Sequence, residues 1–177
     1  MQVPLVMTII GKDRTGLVES IARIVAEHGG NWLESRMCRL GGEFAGILRI
    51  HVPAAKHPAL VNALKELQSQ GLTVVAQSDQ PLTGAGPGRL TLLEIVGHDR
   101  PGIVRQIAAA LASQGVNVEE LSTECVSAPM SGEMLFKARA TLGLPANCNL
   151  SILRAELEKA ASDLTVDISF ADLEAGR

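Results

Sequence analysis

The sequence predicts an α+β chain made of two consecutive copies of one small βαββαβ unit. Three observations carry that prediction. First, the chain repeats itself: Gly11-Lys-Asp-Arg-Thr-Gly-Leu-Val18 lies over Gly97-His-Asp-Arg-Pro-Gly-Ile-Val104, with Ile21 over Ile107, Gly29 over Gly115 and Asn31 over Asn117. Second, each copy switches in the same order between strand-like and helix-like periodicity. Third, Asp79-Gln-Pro-Leu-Thr-Gly-Ala-Gly-Pro-Gly88 reads as a linker between them. The division is residues 1–78, 79–88 and 89–177.

Leu5 to Ile10 and Leu90 to Val96 are short apolar runs rich in β-branched residues, and read as first strands. A glycine-bounded turn follows each. The next segment places Leu17, Val18, Ile21, Ile24 and Val25 on one helical face, matched by Ile103, Val104, Ile107 and Leu111. Gly29 and Gly115 stand where a left-handed C-terminal cap is wanted. Second strands run from Trp32 to Leu40 and from Val118 to Val126, and Gly41-Gly42 and Ser131-Gly132 suit hairpin turns.

The third strand alternates, with Phe44, Gly46, Leu48, Ile50 and Val52 on one side and Arg49 and His51 on the other. Its counterpart sets Met134, Phe136, Ala138 and Ala140 against Lys137 and Arg139. A short insertion in the second copy brings Glu43-Phe44 over Glu133-Met134, and Leu72-Thr-Val74 over Leu164-Thr-Val166. Second helices carry Leu60, Val61, Leu64 and Leu67, ending at Gly71, and Leu150, Leu153 and Leu157. Last strands begin at Leu72 and Leu164. The order implies a ferredoxin-like antiparallel sheet with both helices on one face, twice over.

Composition narrows the function. The chain has 177 residues, 46% hydrophobic and 20% charged, with net charge −3. That describes a folded soluble chain with no overall field to attract DNA or an anionic membrane. One Trp, three Phe and no Tyr make the cores aliphatic. RNA-recognition domains share this topology but need stacking aromatics on the first and third strands. Here the first strands have none, and each third strand offers one Phe on its core side. Three cysteines without a C-x-x-C pair suggest neither a disulfide framework nor a zinc or copper site. They read as buried or half-buried reduced thiols in a cytoplasmic protein. Met1 to Ile10 lacks the basic region of a signal peptide, and no run nears the roughly 18 apolar residues that span a bilayer.

Several patterns carry no chemistry. Gly11 and Gly16 have P-loop spacing, but Leu17-Val18 stand where Lys and Ser or Thr must follow. Gly84-Ala-Gly-Pro-Gly88 leads into a strand and is linker. His28, His51, His57 and His98 have no metal-ligand spacing, and no G-x-S-x-G elbow exists. Asn149-Leu-Ser151 is a glycosylation sequon of no consequence in the cytoplasm. No metal or other cofactor is implied, and no catalytic residue is assigned.

What remains is the doubled Gly-x-Asp-Arg-x-Gly element and the Asn that follows Asp13 and Asp99 at the same separation. A strand-to-helix turn offers free N–H groups to an anion. The Asp can accept from an ammonium group. The Asn, expected back at the same end of the sheet after one helix, adds a donor and an acceptor. Together these describe a site for a free α-amino acid. The candidate ligand residues are Gly11, Asp13, Arg14, Gly16, Leu17 and Asn31 in the first copy, and Gly97, Asp99, Arg100, Gly102, Ile103 and Asn117 in the second. A structural reading stands beside this one: the aspartates as helix N-caps, Pro101 in a first helical turn, and the glycines as turn formers.

With these elements the chain resembles tandem ACT domains, the small-molecule-binding regulatory modules of amino-acid metabolism. Asn31-Trp-Leu-Glu-Ser-Arg36 and Leu40-Gly-Gly-Glu-Phe44 further resemble the glycine cleavage system transcriptional repressor family. Thr15 replaces that family's usual Pro, and the second copy lacks the Ser-Arg and Leu-Gly-Gly-Glu-Phe pieces and has Pro129 in its hairpin. The resemblance implies a non-enzymatic regulator that senses glycine or a serine-like amino acid. It would act through a LysR-type activator rather than on DNA or a membrane. The alternative is an interaction module on a metabolic enzyme with a vestigial ligand site. Two copies and a linker fill the chain, which leaves no catalytic domain in this expectation. Because Leu5-Val-Met-Thr-Ile-Ile10 is apolar on both faces, both are expected to find cover, through pairing of the copies within the chain or in a homodimer.

Overall fold

The computed structural model describes residues 1–79, 88–129, 132–164 and 166–172. The chain divides into two compact units, Met1–Pro81 and Leu82–Arg177. Apart from its two end residues, the linker assigned to 79–88 lies outside the described residues, as does Ser131 of the second hairpin turn.

The first unit runs β1 (Gln2–Lys12), α1 (Leu17–Glu27), β2 (Asn31–Leu40), β3 (Glu43–Pro53), α2 (His57–Glu66) and β4 (Leu72–Ser78). The second runs β5 (Arg89–His98), α3 (Ile103–Ser113), β6 (Asn117–Ser127), β7 (Met134–Leu144), α4 (Leu150–Leu164) and β8 (Val166–Asp172). The sheets are antiparallel, in the orders β2-β3-β1-β4 and β6-β7-β5-β8. This is the ferredoxin-like α+β fold, present twice.

Each helix forms where its apolar residues can face the sheet. Leu17, Ile21, Ile24 and Val25 of α1 are buried, while Glu19, Arg23 and Glu27 face outward and pair along the helix. Both first helices end in the same Schellman motif. Gly29 (φ 67°) and Gly30 donate to Ala26 and Val25, and Gly115 (φ 67°) and Val116 donate to Ala112 and Leu111. Helix α2 passes into a 3₁₀ turn at Leu67–Gln70 and stops at left-handed Gly71. Helix α4 is capped by Asn149, whose Oδ1 accepts from the N–H groups of Ser151 and Ile152. That cap is the role of the sequon asparagine in this fold.

The cores follow the alternation of the central strands. Leu5, Met7 and Ile9 of β1 and Phe44, Leu48, Ile50 and Val52 of β3 are buried against α1 and α2. In the second unit Leu93, Ile95, Phe136, Ala138, Ala140 and Leu142 meet α3 and α4. Both third-strand phenylalanines therefore belong to cores. On the opposite face of the first sheet Ile10 and Ile47 are 54% and 55% exposed.

Cys38 and Cys125 are exposed rather than buried or half-buried, because they lie on the edge strands β2 and β6. Val18 and Val104, each next to the core residue that starts its helix, are exposed at the rim of the apolar stripe. Four further positional expectations need correction. Leu150 is exposed, because it directly follows the cap of α4 and precedes the first core-facing residue, Leu153. Met134 is exposed, because it lies at the outer end of β7, where the hairpin carries it past the helices. Leu164 ends α4, and the last strand starts at Val166. The alignment of the two halves also shifts by two residues. Phe44 is opposite Gly11 and Phe136 is opposite Gly97, so Phe44 matches Phe136 rather than Met134. Leu72 likewise matches Val166. Six extra residues of the second copy lie in the β6–β7 hairpin and two more between β7 and β8.

Candidate functional site

Strand β1 runs toward one end of its sheet and delivers Asp13 into the loop before α1. The β2–β3 hairpin reaches the same end. The N–H of Asp13 donates to the Gly42 carbonyl at 3.0 Å, which ties loop to hairpin. Gly41 and Gly42 both have positive φ (58° and 83°), as a tight turn of this twist needs. Lys12 pairs with Glu43 across the ladder. Arg39, opposite Phe44 on β2, places its Nε 2.6 Å from Oδ2 of Asp13.

The second unit repeats the frame with other side chains. The N–H of Asp99 donates to the Met134 carbonyl at 3.0 Å. His98 lies 3.7 Å from Glu133, a contact that is ionic only when the imidazole is protonated. Arg100 turns toward the end of α4 and donates to the Leu164 carbonyl. Opposite Phe136, where the first unit has Arg39, stands Cys125. Local desolvation pushes the Cys125 thiol above its usual range, and the Asp99 charge and a hydrogen bond to that carboxylate add to the effect.

Neither aspartate caps a helix. Helix α1 starts at Leu17 behind Gly16 (φ 90°) and α3 at Ile103 behind Gly102 (φ 98°), and neither start has a side-chain cap. Two left-handed glycines turn the chain into the helices, so the carboxylates remain in the loops. Pro101 precedes α3 rather than lying in its first turn.

Gly11 and Gly97 have a packing role. A Cβ on Gly11 would lie 2.4 Å from the Gly71 carbonyl oxygen, and one on Gly97 would lie 2.5 Å from Cγ1 of Val166. The last strand of each unit passes too close for any side chain. Leu17 and Ile103 are core residues.

The asparagines are elsewhere. A strand followed by one helix returns the chain to where that strand began. Asn31 is thus opposite His51 and Asn117 opposite Gly143, far from Glu43 and Leu135 at the aspartate ends. Eight strand residues at ~3.4 Å each put them about 27 Å from the aspartates of their own units. Asn117 donates instead to Glu119 at 2.8 Å. Within a unit the structure brings together the Asp, the Arg after it and the left-handed Gly, and excludes the Asn.

The sequence reading missed a groove in the second unit between α3 and β6. It is a narrow cleft of about 40 Å³ with only apolar lining, including Ile103, Val104, Ile107, Leu121, Phe136 and Ala140. Small residues leave it open. Val118 and Ala140 stand where the first unit has Trp32 and Leu48, an exchange readable once Phe136 is set over Phe44. Among the described residues no three His, Cys, Asp or Glu side chains are grouped to hold a metal ion, and no helix is long and apolar enough to cross a membrane.

Comparison with known proteins agrees with this geometry. The ACT domain model matches twice, at residues 3–77 and 89–171. A UPF0237 protein of Methanopyrus kandleri is 32% identical over 77 residues, 44% of this chain and 80% of that protein. A second UPF0237 protein, from Methanocaldococcus jannaschii, is 33% identical over 66 residues, 37% of this chain and 72% of its own length. Among solved structures, an unknown protein from Galdieria sulphuraria superposes with a TM-score of 0.84 at 27% identity, covering 98% of this chain and 100% of that one. A proposed glycine cleavage system transcriptional repressor superposes with a TM-score of 0.71 at 21% identity over 98% and 99% of the two chains, a likeness of fold. With the family model matched in both halves and the βαββαβ order in each, the chain belongs to the ACT domain family and carries two of its domains in tandem.

Proposed function

We propose that this tandem ACT protein is a non-enzymatic regulator that responds to a small amino acid, glycine or one like serine. It adjusts transcription of glycine cleavage genes in the cytoplasm by engaging a protein partner such as a LysR-type activator. The observation that carries the reading is the doubled ACT unit in which an aspartate stands in each strand-to-helix loop beside the first turn of a helix. An amino acid offers such a loop an ammonium for the carboxylate and a carboxylate for the free N–H groups. The full-length likeness in fold to a proposed glycine cleavage repressor supports the choice of pathway. Pairing of the two domains within the chain, or in a homodimer, provides the equilibrium to be biased: a ligand that binds one arrangement better shifts the population toward it.

Affinity is bounded by ligand size. At ~1.5 kcal/mol per heavy atom, glycine with its five cannot exceed about 7.5 kcal/mol, a Kd near 3 μM at best. Binding in the range of tens of micromolar to millimolar suits an abundant metabolite.

The test combines a thermal-shift screen of the common amino acids with a mobility shift on operator DNA. A ligand-dependent rise in Tm, and a change in operator binding only when the LysR-type protein is present, supports the proposal. A shift of operator DNA by this protein alone overturns the partner-mediated mechanism. Arg39 bound to Asp13 favours the second reading, a vestigial site, for the first unit alone.

A further inference from the structure

The two loops share a backbone and differ at one position that decides what the aspartate can accept. In the first unit the carboxylate of Asp13 already has a cation, Arg39, at 2.6 Å. An ammonium ligand entering there has to displace a guanidinium held on a neighbouring strand by the sheet register. In the second unit the residue at that register is Cys125, and Asp99 has no cationic partner among the described residues. Charge around the loops points the same way. Lys12, Arg14 and Arg39 outnumber Asp13 and Glu43 in the first, whereas Asp99 and Glu133 outnumber Arg100 in the second. The first loop presents net positive charge and the second net negative.

Resting on the amino-acid-sensing reading, we infer that the two ACT domains are not equivalent: Arg39 is an internal plug that closes the Asp13 loop to primary ammonium ligands, and the Asp99 loop, where Cys125 stands, is the one that receives them. Arg39 and Cys125 are then the specificity-determining pair. The chain has one amino-acid site, and the first unit keeps the shape of a site whose ammonium position is filled by its own side chain. The apolar groove beside α3 ends at Ile103 and Phe136, on the Asp99 side of the same unit, and would border the bound amino acid.

Backbone amide NMR on the full chain resolves the loops separately, with glycine and then L-serine as titrants. Glycine is expected to move the amides of Asp99, Arg100 and Gly102 saturably and to leave those of Asp13, Arg14 and Gly16 in place. Cys125→Arg should weaken binding at the second loop about tenfold or more, as expected when a charge-assisted contact is lost. Arg39→Cys should make the first loop respond. Arg39→Gln and Cys125→Lys test the same point should either variant fold poorly. Equal shifts at both loops, shifts at the Asp13 loop alone, or a first loop still silent in folded Arg39 variants overturn the inference while the sensing proposal stands. Silence at both loops with every common amino acid overturns the sensing proposal and the inference with it.

Discussion

Gly11→Ala separates a packing glycine from a ligand glycine. Its Cβ would lie 2.4 Å from the Gly71 carbonyl oxygen and 3.1 Å from Cα of Leu72, both backbone atoms that no side-chain rotation can clear. Strand β4 must shift away from β1 or the β1–β4 ladder must open. Overpacking of this kind costs about 1–3 kcal/mol. The lower chain entropy of Ala returns roughly 0.5–1 kcal/mol. The net loss is about 1–2 kcal/mol. At an m-value of ~1 kcal/mol/M for a small domain in urea, the midpoint of the first unit should fall by about 1–2 M. Gly97→Ala should cost as much or more, since Cα, Cβ and Cγ1 of Val166 all lie within 2.8 Å of the added carbon. Gly16 is the control. A Cβ there meets nothing within 4 Å, and only its positive φ is unfavourable. Gly16→Asn should therefore be milder than Gly16→Ala, because Asn tolerates the left-handed region. Urea melts followed by circular dichroism decide the matter. An unchanged or higher midpoint for Gly11→Ala would refute the close-approach argument and return Gly11 to the ligand-binding candidates.

Three further outcomes follow from the same geometry. Because neither aspartate caps a helix, Asp13→Asn and Asp99→Asn should each change stability by less than about 1 kcal/mol in thermal melts, the Asp13 pair with Arg39 being largely solvent-screened. A loss typical of a cap would restore that role. Leu48→Ala, in the centre of the first core, should cost about 2–5 kcal/mol by denaturant titration, since a fully buried side chain leaves a cavity. Removing the negative charge beside Cys125 by Asp99→Asn lowers its pKa and raises its thiolate fraction, so iodoacetamide should label Cys125 faster near pH 7.5 than in the parent protein, as read by peptide mass spectrometry. Equal rates would show that the carboxylate does not govern the thiol.

Much of the fold could be read because short-range rules and burial agree. Leu48, Ile50 and Val52 alternate with Arg49 and His51 because one face of the sheet is covered, and Gly29 and Gly115 end helices because only a left-handed residue closes a Schellman motif. The site was harder to read. Asp13 has the sequence appearance of a cap, yet the helix starts behind a left-handed Gly16, a backbone state that residue type permits but does not dictate. Asn31 looked like a partner for Asp13 because both repeat at one spacing, and the direction of the returning helix separates them. Arg39 meets Asp13 only through the register of β2 on β3, a long-range fact. Identity between the halves marked what the fold requires, and the residues that set charge at the loops lie where the halves differ.

The edge strands β2 and β6 bear on how the protein behaves in concentrated solution. Both have a register break at the same place, Trp32/Glu34 and Val118/Glu120, which bends the edge and spoils it as a template for an incoming strand. The rest of each edge relies on charge. Strand β2 carries Glu34, Arg36 and Arg39, of both signs, whereas β6 carries Glu119, Glu120 and Glu124 and no base. Mutual repulsion between copies at β6 therefore weakens as salt screens its carboxylates. Strand β2, with charges of both signs, has less like-charge repulsion to lose, so turbidity on raising the ionic strength should begin with self-association along β6.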